Sequence, residues 1–318
     1  MTGVADYRGL RVLVFGGSGF IGRWVARRLT DAGAELTLVA REPERVVPLW
    51  TRVGVRGAPR QADLTRTGAA AEILRSVRPS VTFNLAGYGI DPLERDEALG
   101  ERINHDLVAE LARAAQECAD PGWEGQHLVH AGSAAEYGET GGDLSEDSRP
   151  RPSAMYGRTK LAGTDALTGA TRQGILRAVS ARLFTVYGPG ERAGRLLPSL
   201  IEAARTGSEL PLTAGHQRRD FTYVEEAAEG LLRLGVRPEG MLGPVNLATG
   251  TLESVRRFAE RAAAVLGLAP ERLRFGVLPG RPHEMMHREV SVGRLRTLCG
   301  WVPEIGIEAG VRRTIESR

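Results

Sequence analysis

Short apolar runs alternate with amphipathic stretches along the first half of the chain. The run Arg11-Val-Leu-Val-Phe15 is bounded by turn residues, a pattern typical of a strand buried on both faces of a parallel sheet. A helical pattern starting at Arg23 ends near Gly33, and a second apolar run covers 35–40. The alternation continues with predicted elements at 69–78 (helix), 80–86 (strand), 97–118 (helix) and 126–131 (strand). Strands separated by helices predict a doubly wound parallel sheet that binds ligands at the carboxyl ends of its strands.

A glycine-rich turn connects the first predicted strand to the first predicted helix. Its sequence is Gly16-Gly-Ser-Gly19-Phe-Ile-Gly22. Glycines at this spacing let the backbone turn sharply, approach a pyrophosphate and pack the helix against the strand. The helix N-terminus adds N–H donors and the positive end of the helix dipole. The turn therefore predicts a dinucleotide site that includes Gly16, Ser18, Gly19, Phe20, Ile21 and Gly22.

The second half of the chain has a mixed pattern. Helices are predicted at 198–206, 224–234 and 251–266, with a short extended segment before residue 224. We predict an α/β fold with a Rossmann-type doubly wound parallel sheet in a dinucleotide-binding domain at 1–185. A smaller mixed α/β C-terminal substrate lobe is predicted at 186–318. A strand and a helix near 218–248 are expected to return to the first domain, so that the two units are interleaved.

The end of the second predicted strand bears on the choice of dinucleotide. NAD sites usually place an Asp or Glu there to bind the ribose 2′-hydroxyl, but this chain has Ala40 and Arg41. Without that carboxylate a 2′-phosphate is not repelled, and the guanidinium of Arg41 can pair with it. We therefore predict NADP rather than NAD as the cofactor. The alternative is that Arg41 is a solvated loop cation.

Composition excludes several classes of partner. The 42 basic and 39 acidic residues leave a formal net charge of +3, and no run of five cations occurs, so we expect no nucleic-acid partner. Without an apolar run of 18 residues or a leader pattern, we expect a soluble cytoplasmic protein with no membrane partner. The two cysteines and six histidines show no complete ligand spacing, so we expect no metal.

The chain contains 41 arginines and a single lysine, Lys160, which lies four residues after Tyr156. At helical spacing the two side chains share one face, about one turn apart. Lys carries a compact point charge, whereas Arg is a planar fork, so a retained Lys is a candidate for chemistry that Arg cannot perform. An ammonium near a phenol lowers the phenol pKa, and such a Tyr can act as a general acid or base. The alternative is a lysine on a solvated helix face.

The chain resembles the extended short-chain dehydrogenase/reductase family of nucleotide-sugar-modifying enzymes. The resemblance covers nearly the whole chain. It rests on the ordered motifs Gly16-x-x-Gly19-x-x-Gly22, Asn84-Leu-Ala-Gly87, Ser133-Ala-Ala-Glu-Tyr-Gly138, Tyr156-x-x-x-Lys160, Arg182-Leu-Phe-Thr-Val-Tyr-Gly-Pro-Gly190, Arg219-Asp-Phe-Thr-Tyr-Val224, Asn246-Leu-Ala-Thr-Gly250 and Gly300-Trp-Val-Pro303. By analogy with the family, we also expect a homodimer formed by helices near 97–118 and 153–173.

The resemblance implies a role for each matching residue. Tyr156 would be the catalytic acid or base, Ser133 would bind the same substrate oxygen, and Lys160 would bind the nicotinamide ribose while lowering the Tyr156 pKa. The further cofactor-binding residues implied are Asp63, Leu64, Leu85, Ala86, Gly87, Asn104 and Tyr156 itself, although Asn104 can instead be a helix-bend residue. Substrate contacts are implied for Ser133, Ala134, Tyr156, Thr185, Arg219 and Arg281, with Thr185 replacing the Asn of relatives.

The resemblance also separates the reactions that the family performs. Sugar 4,6-dehydratases carry acidic residues where this chain has Ala134 and Ala135, and a methyl group cannot transfer the proton that elimination requires. The implied reaction is NADPH-dependent reduction of the 4-keto group of a nucleotide-activated 4-keto-6-deoxyhexose, with Tyr156 as general acid. The alternative is an epimerase or dehydratase that holds and recycles NAD(P). Glu136 is open between a catalytic role and a structural bond to the backbone at the strand edge.

Overall fold

The computed structural model describes residues 6–91, 93–173, 176–238, 243–280 and 287–317. The described part contains fourteen strands: β1 (Arg11–Phe15), β2 (Glu35–Ala40), β3 (Ala58–Gln61), β4 (Val81–Asn84), β5 (Leu128–Ser133), β6 (Asp143–Leu144), β7 (Ala178–Leu183), β8 (Thr185–Tyr187), β9 (Leu210–Leu212), β10 (Arg218–Tyr223), β11 (Val245–Leu247), β12 (Leu252–Ser254), β13 (Leu273–Phe275) and β14 (Glu289–Val290).

The same described residues form eleven α-helices: α1 (Phe20–Asp31), α2 (Pro43–Arg52), α3 (Ala69–Val77), α4 (Glu97–Glu101), α5 (Leu107–Glu117), α6 (Met155–Arg172), α7 (Leu196–Thr206), α8 (Val224–Gly235), α9 (Val255–Leu266), α10 (Gly293–Cys299) and α11 (Ile307–Glu316). A π-helical turn (Arg102–Asp106) joins α4 to α5, and a 3₁₀ turn (Ala134–Glu136) follows β5. None of the described helices is both long and apolar enough to cross a bilayer.

Seven parallel strands form the main sheet in the order β11-β7-β5-β4-β1-β2-β3. The chain proceeds from β1 toward β3 on one side and from β4 toward β11 on the other. The connections that follow β1 and β4 therefore leave in opposite directions, and this opens a crevice at the carboxyl ends of the two strands. Val12 to Phe15 of β1 are fully buried, because helices cover both faces of the sheet. The predicted Rossmann-type α/β fold is confirmed.

A smaller lobe packs its own core beyond the main sheet. Strands β8, β10 and β12 form one small sheet, β9 pairs with β13, and helices α7, α9 and α11 contribute apolar side chains to the same cluster. Phe221 stacks on Phe258 with ring centroids 4.2 Å apart. From β10 the chain returns to the first unit, because α8 packs against α1 and β11 joins the edge of the main sheet. The domain boundary at 185/186 stays a prediction.

The structure differs from the predicted helices in two places. The predicted helix at 97–118 is interrupted by the π-helical turn at Arg102–Asp106, which widens the helix at Asn104. The predicted helix at 251–266 begins as strand β12, which pairs antiparallel with β10. Both differences come from tertiary contacts that a local apolar period does not report.

Candidate active site

Three adjoining cavities form a groove along the carboxyl edge of the main sheet. The first cavity, of about 350 Å³, lies between β1, β2, β3 and β4 and is lined by the predicted residues Gly16, Ser18, Gly19, Arg41, Asp63, Leu64, Leu85, Ala86 and Gly87. The central cavity, of about 290 Å³, is lined by the predicted residues Gly19, Phe20, Ile21, Gly22, Leu85, Gly87, Ser133, Tyr156 and Lys160. The outer cavity, of about 600 Å³, is lined by the predicted residues Ser133, Ala134, Thr185 and Arg219.

The glycine-rich turn has the close approaches expected of a pyrophosphate cradle. Gly16 has φ +76°, and a Cβ there would lie 2.6 Å from the backbone nitrogen of Ala86. A Cβ on Gly22 would lie 2.0 Å from the Gly16 carbonyl oxygen. Helix α1 begins after Gly19 without a side-chain cap, so its first N–H groups have no intrahelical partner. These features fit the diphosphate of a dinucleotide, whose charge the helix N-terminus favours.

Opposite charges meet in the first cavity beside the end of β2. Arg41 follows the last residue of β2, and Asp63 lies two residues beyond β3. Hydrogen bonds from the backbone and hydroxyl of Thr65 lower the pKa of Asp63, and the nearby charge of Arg41 lowers it further. The Asp63 carboxyl is therefore ionised at neutral pH. This end of the groove offers an ionised acceptor and a guanidinium to the same ligand.

The central cavity brings Ser133, Tyr156 and Lys160 together. Ser133 ends β5, while Tyr156 and Lys160 lie one turn apart near the start of α6. Burial raises the pKa of Tyr156 to about 12, and a side-chain hydrogen bond with Ser133 acts in the opposite direction. The phenol is therefore protonated at neutral pH. A protonated phenol at this place can donate a proton to an oxygen that binds beside Ser133.

Lys160 is buried and bound to the main chain of β5. Its side chain is 3% exposed, and Nζ donates to the Ala131 carbonyl oxygen at 2.9 Å. Burial lowers the pKa of Lys160 to about 8, and the charge of Glu136 acts against that shift. This position excludes the solvated-face alternative. The sequence predicts that Lys160 lowers the pKa of Tyr156, but in the structure this pKa is raised. Burial of the phenol outweighs the influences that lower it.

Glu136 has a structural role, as one of the two interpretations of the sequence expects. One carboxylate oxygen accepts from the Ser133 backbone N–H at 2.7 Å, and the other accepts from Arg182 Nε at 2.8 Å. The Ser133 hydroxyl in turn accepts from the backbone N–H of Ala135. The Arg182 guanidinium also lies 4.4 Å from the centroid of the Tyr137 ring. This buried pair holds the strand end that carries Ser133, and it was not predicted from the sequence.

Asn104 lies behind the groove rather than on its surface. Its side chain is fully buried, donates to the Tyr88 carbonyl oxygen at 2.7 Å and to Thr159 Oγ1 at 2.9 Å, and accepts from the Tyr88 N–H at 3.0 Å. All of these bonds are to the protein itself, so Asn104 is a residue of the helix bend and not the cofactor-binding residue that the resemblance implies. Through these bonds Asn104 connects the π-helical turn to the loop after β4 and to α6.

The structure places the remaining predicted substrate residues in the outer cavity, except one. Thr185 opens β8, Arg219 lies on β10, and Ala134 follows the end of β5. The predicted residue Arg281 lies outside the described residues. Sequence reasoning missed cavity residues that come from loops distant in the chain: Phe184, Glu191, Arg192, Arg195, His287 and Arg288. The Arg182-to-Gly190 motif marked the segment of Phe184 but did not indicate which way its side chain faces.

Comparison with known proteins identifies the family of the chain. Residues 12–248 match the family described as the NAD dependent epimerase/dehydratase family. The chain belongs to this family. It is therefore an enzyme of the extended short-chain dehydrogenase/reductase class, which confirms the family predicted from the motifs.

Individual relatives of this epimerase/dehydratase family member cover almost its whole length. It is 30% identical over 95% of its residues to a dTDP-6-deoxy-L-talose 4-dehydrogenase (NAD(P)(+)) of Kitasatospora kifunensis, of which it covers 93%. It is 26% identical over 96% of its residues to a dTDP-glucose 4,6-dehydratase of Neisseria gonorrhoeae, of which it covers 94%. Its structure is similar to that of MoeE5 in complex with UDP-glucuronic acid and NAD, with a TM-score of 0.81, 27% identity, and coverage of 96% of this chain and 98% of the other.

Proposed function

We propose that this enzyme uses NADPH to reduce the 4-keto group of a nucleotide-activated 4-keto-6-deoxyhexose. The observation that carries this proposal is the placement of Ser133 and Tyr156 in the wall of one cavity, which adjoins the dinucleotide cradle on one side and, through Ser133, the outer cavity on the other. Tyr156 is the general acid, and its raised pKa keeps it protonated at neutral pH. The homodimer implied by the resemblance stays a prediction.

The protein residues have separate tasks in this reaction. A dinucleotide held by the turn of Gly16, Gly19 and Gly22 would supply the hydride for C4 of the sugar. The Ser133 hydroxyl and the Tyr156 phenol both reach the keto oxygen; Ser133 orients it, and Tyr156 donates the proton that neutralises it. Lys160 anchors helix α6, which carries Tyr156, to strand β5, because its Nζ donates a hydrogen bond to the carbonyl oxygen of Ala131 on β5. Its remaining donors are available to ribose hydroxyls.

Two alanines favour reduction over elimination. Ala134 and Ala135 follow Ser133 and line the outer cavity, where an eliminating enzyme needs groups that exchange protons. Glu136, the acid that comes next, is fully buried and bonded to Ser133 and Arg182. The similarity to a 4-dehydrogenase supports the same proposal, because removal of hydride from a 4-hydroxyl group is the reverse of 4-keto reduction.

The preference for NADPH rests on the first cavity. Arg41 lines it, and neither Ala40, the last residue of β2, nor Arg41, which follows it, is acidic. A 2′-phosphate would find a guanidinium able to make a charge-assisted hydrogen bond. Asp63 lies close enough for its charge to interact with Arg41, so the phosphate and Asp63 would share that guanidinium.

Replacing Arg41 with alanine is expected to lower kcat/KM for NADPH by about 10- to 100-fold, because a hydrogen bond to a charged group contributes about 1.5–3 kcal/mol. The value for NADH should stay within about twofold, since NADH has no 2′-phosphate. Arg45→Ala is a matched control, because Arg45 lies on α2 and pairs with Glu42 instead of lining the cavity. An unchanged ratio of the two kcat/KM values in Arg41→Ala would contradict the NADPH assignment.

The reaction is tested by following absorbance at 340 nm with NADPH or NADH and a panel of nucleotide-linked 4-keto-6-deoxyhexoses. Oxidation of NADPH with one member of the panel supports the reductase and identifies the nucleotide. A flat trace with every member overturns it and favours epimerisation or dehydration with recycled NAD(P). In that case a dinucleotide should be retained through purification and be identifiable by mass spectrometry.

A further inference from the structure

His287 is a buried polar residue in the wall of the outer cavity. Its side chain is 4% exposed, and neither Nδ1 nor Nε2 has a hydrogen-bond partner among the described residues. A buried polar atom without a partner lowers stability, so such atoms in folded proteins usually meet water, an ion or a ligand. The cavity that His287 lines also contains Ser133, which places both residues on one ligand path.

The charge of His287 limits what it can bind. Burial lowers its pKa to about 3, and the positive charge of Arg219 contributes to the shift. The imidazole is therefore neutral at physiological pH and offers one N–H donor and one nitrogen acceptor. A diphosphate presents only acceptor oxygens and is bound better by the guanidinium groups of Arg219 and Arg288 in the same cavity.

His287 is connected to the cavity of Tyr156 through the side chain of Phe184. Its ring meets the Phe184 ring edge to face, with centroids 5.9 Å apart. Phe184 lines the central cavity with Tyr156 and also lines the outer cavity with His287. The imidazole therefore lies in the outer cavity against the ring of Phe184, which lines both cavities.

We propose that His287 is a specificity residue that binds a hydroxyl group of the hexose. A sugar hydroxyl both donates and accepts, and so can satisfy either nitrogen of a neutral imidazole. A site with buried polar groups discriminates against ligands that leave those groups unpaired. This inference rests on the proposed function for its class of substrate, a hexose attached to a nucleoside diphosphate.

The test is isothermal titration calorimetry with NADP⁺ present throughout. Wild type, His287→Leu and His287→Gln are titrated with dTDP-glucose and UDP-glucose, and with dTDP and UDP as ligands that lack the sugar. His287→Leu is expected to weaken binding of the sugar nucleotide about 10-fold or more, and to leave binding of the nucleoside diphosphate within about twofold. His287→Gln retains a donor and an acceptor and should bind the sugar nucleotide more tightly than His287→Leu.

Two outcomes overturn the inference while leaving the proposed function standing. If both variants bind the sugar nucleotide as tightly as wild type does, His287 makes no contact with the sugar. If His287→Leu weakens both kinds of ligand equally, the contact is with the nucleoside diphosphate. A wild-type protein that binds neither sugar nucleotide overturns the inference together with its substrate class. Equal thermal midpoints of wild type and variants establish that folding does not explain the affinities.

Discussion

Replacing Tyr156 with phenylalanine should lower kcat for ketone reduction by about 10²–10⁴-fold, the usual contribution of a general acid. The change removes only the phenol hydroxyl and keeps the ring in the wall of the central cavity, which Ser133 also lines. Binding of NADPH should stay within about twofold of wild type, because the pyrophosphate cradle and Arg41 are untouched. Initial rates at 340 nm and titration of NADPH fluorescence measure the two quantities.

A matched control shows that the effect belongs to this phenol and not to any buried tyrosine. Tyr187 lies on β8 in the smaller lobe, lines none of the three cavities of the groove, and donates a hydrogen bond from its hydroxyl to the Gly306 carbonyl oxygen at 3.4 Å. Tyr187→Phe should therefore keep kcat within about twofold of wild type. Retention of more than half the wild-type rate by Tyr156→Phe would remove this tyrosine from the chemistry.

Replacing Arg182 with methionine should lower the free energy of unfolding by about 3–5 kcal/mol, the usual cost of leaving one member of a buried ion pair alone. Arg182 and Glu136 have side chains that are 3% and 0% exposed, so water does not screen the carboxylate that remains. Urea denaturation monitored by tryptophan fluorescence measures the loss. The activity should fall as well, because Glu136 holds the backbone of Ser133.

The loss in Arg182→Met should depend on pH. Burial raises the pKa of Glu136 in the wild type, and Arg182 acts against that rise, so its removal raises the folded-state pKa further. A folded-state pKa above the unfolded value of about 4.3 means that the folded protein binds a proton more readily. The destabilisation should therefore be greatest near pH 7–8 and should diminish as the pH falls toward about 4.3.

A double variant separates the buried charge from the loss of packing. Glu136→Gln in the Arg182→Met background removes the unpaired charge, while the Gln carbonyl oxygen can still accept from the Ser133 N–H. This double variant should regain most of the lost stability and lose its dependence on pH between 5 and 8. Equal destabilisation of the single and double variants would assign the loss to the volume and ring contact of Arg182 instead.

The protonation of the groups in the central cavity is consistent with the proposed reduction. A phenol whose pKa is raised to about 12 holds its proton at every physiological pH, so it can donate one but does not serve as a base in this state. Lys160 has a pKa lowered to about 8 and begins to lose its charge at mildly alkaline pH. Glu136 lies near both groups, and its charge raises the pKa of each.

Local pattern was enough to predict the elements that form the dinucleotide cradle. The run from Arg11 to Phe15 forms β1 with the predicted bounds, and 35–40 forms β2, because fully buried parallel strands are continuously apolar. The glycines at 16 and 22 were identified from their spacing alone, and the structure shows the backbone contacts that exclude any Cβ there. Tyr156 and Lys160 were paired by helical spacing, which the first turns of α6 confirm.

Contacts between distant segments were not predictable in this way. Glu136 and Arg182 are 46 positions apart and meet because β5 and β7 are neighbours in the sheet. The π-helical turn that holds Asn104 depends on bonds to Tyr88 and Thr159, which belong to other elements. The pattern predicts a helix from residue 251 because Leu252 lies three positions before Val255 and so extends the apolar period of the helix that follows, but Leu252–Ser254 pairs with β10 as strand β12 instead.

The sequence by itself determined the fold class and the glycine cradle, because each depends on residue types at short, regular spacing. The order of the motifs along the chain determined the family, and the resemblance to that family predicted Ser133, Tyr156 and Lys160 as a set. The tertiary structure alone decided the protonation of these groups and the membership of the outer cavity. A pKa depends on burial and on charges brought from elsewhere in the chain, as the opposite shifts of Tyr156 and Lys160 show. His287 meets Phe184 only after folding, so no local pattern could place it beside the site.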